Sequence, residues 1–148
     1  MLEIKIKYHY PDLAKLKQIS IGNWIDLRAA ETIHLEQGEN SLISLGISMK
    51  LPDGYEAHIV PRSSTFNVFG IIQANHMGVV DSSYAGNDDI WRFWAIAMRS
   101  TWIHFNDRIC QFRIMEVQPQ ITFTEVETMT DISRGGFGST GKIGRAHV

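Results

Sequence analysis

Residues 75–86 read NHMGVVDSSYAG, a short β-type run followed by turn residues. Two valines lead into the carboxylate of Asp81, and two serines, a tyrosine, an alanine and a glycine follow it. This order predicts a β-hairpin arm with Asp81 at its turn. Because an aspartate before a turn is commonly a solvated surface residue, the other parts of the chain must decide whether Asp81 has a chemical role.

Short β-type runs separated by turn residues continue on both sides of this arm. Pro52-Asp53-Gly54 separates apolar runs at 43–51 and 55–60 and predicts a hairpin between them. Residues 90–98 are apolar on both faces, which indicates a central strand or one covered by another subunit. Further strands are predicted at residues 2–8, 108–117 and 121–126, and a short helical turn at 10–18. The spacing is typical of an all-β sandwich or jelly roll.

Composition excludes several classes of function. A chain of 148 residues fits one domain, and its net charge of −2 without a basic block argues against nucleic acid and membrane partners. The single Cys110 predicts a buried structural thiol in a reducing, cytoplasmic protein, since neither a signal peptide nor a membrane span is recognisable. The six histidines lack close ligand spacings, so we expect no metal bound by protein side chains.

The C-terminal segment differs in composition from the rest of the chain. Residues 131–141 read DISRGGFGSTG, a composition that does not fold alone, so we predict a β domain at 1–129 and a flexible C-terminal arm at 130–148. A disordered end is the common alternative for such a segment. Glycines nevertheless let a backbone approach a ligand closely, and Arg134 suits a phosphate group. Residues 142–148 have no interpretable pattern.

Five short stretches, taken in order, resemble the motifs of the homotrimeric dUTPase family. They are IDLRAAE at 25–31, PRSS at 61–64, GVVDSSYAG at 78–86, DRICQ at 107–111 and the glycine-rich arm from 134 to 141. The resemblance implies a jelly-roll-like distorted barrel, with three subunits that share three composite active sites. It also implies hydrolysis of dUTP to dUMP and pyrophosphate, which limits uracil incorporation into DNA. Mg²⁺ is then held by the triphosphate and water.

The resemblance assigns a role to each matching residue. Asp81 is the general base for water attack on the α-phosphorus, and Asp26 orients Arg62 as structural support. The phosphate ligands are Arg62, Ser63, Ser64 and Gln111. Uracil is bound by Asn75 with the backbone of Gly78, Val79 and Val80, while Tyr84 packs beneath the deoxyribose. Thymine and ribose are excluded sterically.

The arm departs from the family pattern. The residues expected to close over the substrate are Arg134, Phe137, Gly138, Ser139 and Thr140. Arg134 and Phe137 are three residues apart, where the family spaces them by five, so Phe93, Trp91 or Trp94 are alternatives to Phe137 as the aromatic lid over uracil. The third stretch also has Ser83 and Ala85 where acidic and basic residues are common.

Two other functions remain open on the same scaffold. A dCTP deaminase has a similar fold, but it needs a glutamate near the pyrimidine amino group, and residues 75–86 contain none. A non-catalytic regulator that binds nucleotide or a protein partner is the second alternative, and the presence of Asp81, Gln111 and the arm argues against it.

Overall fold

The computed structural model describes residues 1–136, which form eleven strands and one short helix. The strands are β1 Lys5–Tyr8, β2 Ile25–Arg28, β3 Ile33–Leu35, β4 Asn40–Ser44, β5 Ile47–Lys50, β6 Tyr55–Pro61, β7 Ile71–Gln73, β8 Gly78–Val80, β9 Arg92–Ala97, β10 Thr101–Ile103 and β11 Arg108–Glu116, with helix α1 at Thr65–Phe69. The predicted all-β, jelly-roll-like class is confirmed. Within the described residues, no helix is long and apolar enough to cross a membrane.

Every strand pair is antiparallel. The largest sheet has four strands in the order β2-β11-β6-β8, and a second has three in the order β4-β9-β7. Two-stranded ribbons, β1-β5 and β3-β10, complete the fold. The long pairing of β11 with β6 runs from Cys110 opposite Pro61 to Glu116 opposite Tyr55. It sets the frame of the four-stranded sheet, in which β8 is an edge strand.

The core lies under alternate residues of these strands, as the period of two in their sequences predicts. On β9, Phe93 and Ala95 are fully buried while Trp94 between them is exposed. Trp91 packs edge-on against Phe112 of β11, with ring centroids 5.3 Å apart. Cys110 lies in the same core, and burial raises the pKa of its thiol well above the usual range. The expected structural thiol is confirmed.

The predicted hairpin at Pro52-Asp53-Gly54 is wrong. The turn itself forms, since the amide of Tyr55 donates to the carbonyl of Pro52 at 3.2 Å. However, β5 before the turn pairs with β1, and β6 after it pairs with β11 and β8. The arm with Asp81 is not a two-stranded hairpin either, because β7 pairs with β9 and β8 with β6. Turn residues specify where a chain reverses, but the burial of both flanking strands selects their partners.

Two smaller expectations have different outcomes. A single turn forms at Pro11, where the amide of Leu13 donates to the carbonyl of Tyr10 at 3.2 Å, but residues 14–18 continue without regular structure. Residues 121–126 alternate in polarity but form no strand, and Phe123 is 91 % exposed. The first compact unit ends at Gln118 and a second begins at Pro119. The division predicted at 129/130, with a flexible arm beyond it, stays a prediction.

Candidate active site

A pocket of about 410 Å³ opens beside the neighbouring strands β2, β11 and β6. We call it the cationic pocket, and its lining includes Asp26, Arg62, Ser63, Arg108 and Gln111. Gln111 is opposite Asp26 on β2, and its side-chain amide donates to the carbonyl of Pro61 at the end of β6, at 3.1 Å. Strand pairing therefore brings together residues from three of the five stretches.

Asp26 organises the arginines of this pocket. The Nε of Arg62 donates to Oδ1 of Asp26 at 2.9 Å, and Nη1 of Arg108 lies 3.5 Å from the other carboxylate oxygen. Arg62 Nη1 also donates to the hydroxyl of Ser64 at 3.3 Å. Because one carboxylate holds two guanidinium groups, both forks are oriented while positive charge remains in excess, which suits a polyanionic ligand. The structure thus brings Asp26 and Arg62 together as the sequence interpretation expects.

Thr65, which the sequence analysis missed, fixes the turn after β6. Its hydroxyl accepts a hydrogen bond from the amide of Arg62 at 2.8 Å and donates to the carbonyl of Ile109 at 2.9 Å. Thr65 is fully buried, so this pair of bonds ties the loop of Ser63 and Ser64 to β11. The sequence does contain a signal for this role, since Thr65 is the third consecutive hydroxyl residue after Arg62.

A second pocket, of about 260 Å³, lies beside β8, and we call it the Asp81 pocket. Asn75, β8, Asp81 and Tyr84 line it, together with Arg92. The hydroxyl of Tyr84 donates to the carbonyl of Ile90 at 2.9 Å, which holds its ring in the wall. Arg92 was missed, although its position before the buried Phe93 on an alternating strand predicts an outward side chain.

Gly78 at the start of β8 lies close to β6, so a side chain there would be tightly packed. A Cβ atom built on Gly78 would lie 3.3 Å from the Cβ of Ile59, its partner across the ladder. One edge of β8 is therefore occupied by its pairing with β6. Since β8 is the last strand of its sheet, the backbone groups of its outer edge are available to a ligand.

Asp81 is exposed and held as a carboxylate. Its Oδ1 accepts hydrogen bonds from the hydroxyl of Ser83 and, at 2.8 Å, from the amide of Ser83. The hydroxyl bond is the main cause that lowers the pKa of Asp81, followed by the Ser83 amide and the Tyr84 amide. A carboxylate in this state is ready to accept a proton from water at neutral pH.

Asp81 and Arg62 lie at opposite ends of β6. Val80 pairs with Ala57, so Asp81 lies beside Glu56 at the start of β6, whereas Arg62 follows its last residue. The six residue steps from Glu56 to Arg62 correspond to roughly 20 Å of extended chain. Within residues 1–136, the two pockets have no lining residue in common. Strand pairing therefore separates the two pockets along the length of β6 within one chain.

The alternative lid residues lie in the body of the fold. Phe93 and Trp91 are buried in the core, and Trp91 also contributes to the lining of the Asp81 pocket. Trp94 faces the other side of β9, where its indole nitrogen donates to Asn40 at 3.0 Å. Arg134 is exposed. The remaining arm residues, Phe137, Gly138, Ser139 and Thr140, lie outside the described part of the chain, so the choice of Phe137 as lid stays a prediction.

Comparison with known proteins shows which sequences and folds this chain resembles. The family model described as dUTPase matches residues 23–141. The chain is 51 % identical over 140 residues to the SPbeta prophage-derived deoxyuridine 5'-triphosphate nucleotidohydrolase YosS of Bacillus subtilis, covering 95 % of this chain and 99 % of the relative.

Two solved structures share the fold. A mutant of the Staphylococcus bacteriophage 80alpha dUTPase with dUpNHpp has a TM-score of 0.79 at 18 % identity, covering 95 % of this chain and 99 % of that one. A mutant dUTPase from phage phi11 of S. aureus, which coordinates a structural Mg(II) ion, has a TM-score of 0.74 at 15 % identity, covering 86 % and 98 %.

Proposed function

The chain belongs to the dUTPase family, and we propose that Asp81 is the general base with which it hydrolyses dUTP to dUMP and pyrophosphate. The observation that supports this role most is geometric: the exposed carboxylate, oriented by hydrogen bonds from Ser83, lines a pocket that Asn75 and Tyr84 also line. Asp81 takes a proton from a water that attacks the α-phosphorus, and pyrophosphate leaves. A carboxylate is ionised at neutral pH, so Asp81 can accept this proton, and positioning of the water supplies much of the rate.

The Asp81 pocket is the site for uracil and deoxyribose. The unpaired edge of β8 offers backbone donors and acceptors that imitate a base-pairing partner, and Asn75 adds a side-chain amide. We propose that the pocket wall along this edge excludes the methyl group of thymine. Tyr84, fixed through its hydroxyl, occupies the space that a ribose 2′-hydroxyl needs. Discrimination against dTTP and UTP is therefore steric.

The cationic pocket is the site for the phosphates. Arg62 is oriented by Asp26 and presents its remaining N–H groups, while Ser63 and Gln111 in the pocket lining add neutral donors. Ser64, outside that lining, accepts a hydrogen bond from Arg62 and has the same role in this proposal. Charge-assisted bonds to oxygen atoms stabilise the negative charge that develops as pyrophosphate departs. The arm residues Arg134 and Phe137 to Thr140 would complete the closure of this site.

Mg²⁺ fits this site as an ion that arrives on the triphosphate. Among residues 1–136, no group of three His, Cys, Asp or Glu side chains is placed to hold a metal. Magnesium prefers oxygen ligands and keeps several waters, so phosphate oxygens and water complete its coordination. When bound, it shields the phosphate charge. The chain's own contribution is to align the phosphates through Arg62 and its neighbours.

Three copies of the chain form the active enzyme in this proposal. The outer face of the β4-β9-β7 sheet exposes Leu42, Trp94 and Ile72, at 56, 41 and 38 % of their surface. Leu42 is directly opposite Trp94, so these side chains form a continuous apolar surface that a second copy would cover. Two further copies would also supply the other pocket of each site, since one chain separates Asp81 from Arg62 by the length of β6.

The net charge of −2 gives no support for nucleic acid or an anionic membrane as a partner. The single buried thiol fits the cytoplasm.

A mixing experiment tests the base and the composite site together. Asp81→Asn should still bind dUTP while turnover falls by roughly 10²–10⁴, and Arg62→Ala should be nearly inactive because it lacks the main phosphate contact. Refolding equal amounts of the two together should restore roughly a quarter of wild-type activity, since each site draws its two pockets independently from the two kinds of chain. Native mass spectrometry confirms the exchange of subunits.

Two outcomes would count against the proposal. Complete exchange without recovered activity would mean that both pockets of a site belong to one chain. Near-normal turnover by folded Asp81→Asn would remove its role as base. Product analysis with the wild-type protein is the control for reaction type: dUMP and pyrophosphate are expected from dUTP, whereas ammonia released from dCTP would indicate a deaminase.

A further inference from the structure

The cationic pocket has a wall that none of the five motifs provides. Residues 17–24 pass along its rim, and Lys17, Ile19 and Trp24 are among the residues that line it. Most of this segment precedes residues 23–141, the part of the chain that matches the dUTPase family model. The wall is therefore a feature of this chain beyond the family's recognised region.

The segment that leads to Lys17 is anchored rather than loose. The side chain of Asn106 accepts a hydrogen bond from the amide of Ala14 at 2.9 Å and donates to the carbonyl of Asp12 at 3.0 Å. The amide of Leu16, next to Lys17, donates to the hydroxyl of Tyr8 at 2.8 Å. Since Asn106 is two residues before β11, these bonds position the segment relative to the strand that bears Arg108 and Gln111.

The charges in the pocket are unbalanced. Asp26 is shared by Arg62 and Arg108, and no other acidic residue lines the pocket. Within residues 1–136, Lys17 has no carboxylate at ion-pair distance, as the salt bridges there all involve other residues. An exposed lysine is usually only solvated. Lys17 differs from its neighbour Lys15, whose ammonium lies 4.0 Å above the ring of Tyr8, because it borders a pocket with excess positive charge.

We propose that Lys17 is a further substrate-binding residue, which places its ammonium against the triphosphate from outside the five motifs. The proposal rests on the assignment of the cationic pocket to the phosphates. An ammonium at the rim compensates phosphate charge that the two guanidinium groups, already shared with Asp26, neutralise only in part. Lys17 acts on binding rather than on the proton transfer at Asp81, so its loss should affect KM more than kcat.

The test compares Lys17→Ala with Lys17→Arg and with a matched control, Lys50→Ala. Lys50 is an exposed lysine on β5 that does not line the pocket, and its loss changes the net charge equally. For Lys17→Ala we expect KM for dUTP to rise about 10- to 100-fold, as for loss of one charge-assisted hydrogen bond, with kcat nearly unchanged. Lys17→Arg should restore most of the affinity, and Lys50→Ala should resemble wild type.

Inhibition constants separate phosphate binding from a loosened wall. Lys17→Ala should weaken binding of a non-hydrolysable imido analogue of dUTP, but not of deoxyuridine, which has no phosphate. An unchanged KM, or equal weakening of both ligands, or an equal effect of Lys50→Ala, would overturn the proposal. Each of these results is read against an active wild-type enzyme. Failure of the proposed function itself would appear separately, as wild-type protein that does not hydrolyse dUTP.

Discussion

Replacing Gly46 by alanine should destabilise the fold strongly, because two independent costs coincide there. Gly46 connects β4 to β5 with φ of 69°, a left-handed conformation that costs an alanine about 1–2 kcal/mol. A Cβ atom at this position would also lie 2.6 Å from the Cβ of Ala30 and 2.9 Å from a methyl group of Leu13. Ala30 cannot retreat easily, since its amide donates to the carbonyl of Ser44 at 2.8 Å.

The overlap adds an overpacking cost of about 1–3 kcal/mol, so Gly46→Ala should lose about 2–5 kcal/mol of unfolding free energy. Gly38→Ala is the matched control, because its φ is 88° but nothing lies within 4 Å of the new methyl group. It should lose only the backbone cost. Urea denaturation followed by circular dichroism measures both variants.

Equal losses in the two variants would refute the steric part of the argument, and no loss in either would refute the backbone part. The same substitution has a functional consequence. A methyl group at position 46 would also press against Tyr10 and Leu13, in the segment that leads to Lys17. If the wall of the cationic pocket depends on this packing, Gly46→Ala should raise KM for dUTP at temperatures where the protein is still folded, whereas Gly38→Ala should not.

Two further predictions concern the Asp81 pocket. Ser83→Ala removes the main hydrogen bond that lowers the pKa of Asp81, so that pKa should rise. Because the proposed base acts in its ionised form, the acid limb of the profile of kcat/KM against pH should move to higher pH, with a small effect at neutral pH. An acid limb that does not move would show that the ionisation of Asp81 does not determine it. Tyr84→Phe keeps the ring and should retain discrimination between dUTP and UTP, whereas Tyr84→Ala should lose it, as competition kinetics with the two nucleotides would show.

The sequence predicts individual strands better than their partners. Alternation identifies β1, whereas β9 is recognised as a run that is apolar on both faces. The structure shows which face of β9 is buried, with Trp94 outward between buried Phe93 and Ala95. Pairing is different, because it depends on contacts that are distant in sequence. The apolar run at 43–51 contributes to two strands, β4 and β5, which lie in different sheets. No local feature of the sequence predicts that β5 pairs with the N-terminal strand β1 rather than with β6.

For the candidate site, the limits are similar. Residues in the motifs could be named because their types and order resemble a family, and the structure brings Asp26, Arg62 and Gln111 to one pocket. Arg92 and Lys17 could not be named in this way. In the sequence each is an ordinary charged residue, and its place in a pocket can be recognised only from the structure.

The arrangement of one sheet explains why a single chain should be inactive. In the order β2-β11-β6-β8, the cationic pocket forms at the end of β6, and Asp81 follows β8 beside the start of β6. Strand pairing holds these two positions apart rigidly, so no loop motion within the sheet can bring them to one triphosphate. Association can, because a neighbouring chain is free to place its Asp81 next to another chain's Arg62. The unpaired edge of β8, ordinarily a risk for aggregation, would then be occupied by the base of the substrate, and the apolar face of Leu42 and Trp94 would be covered by the same association.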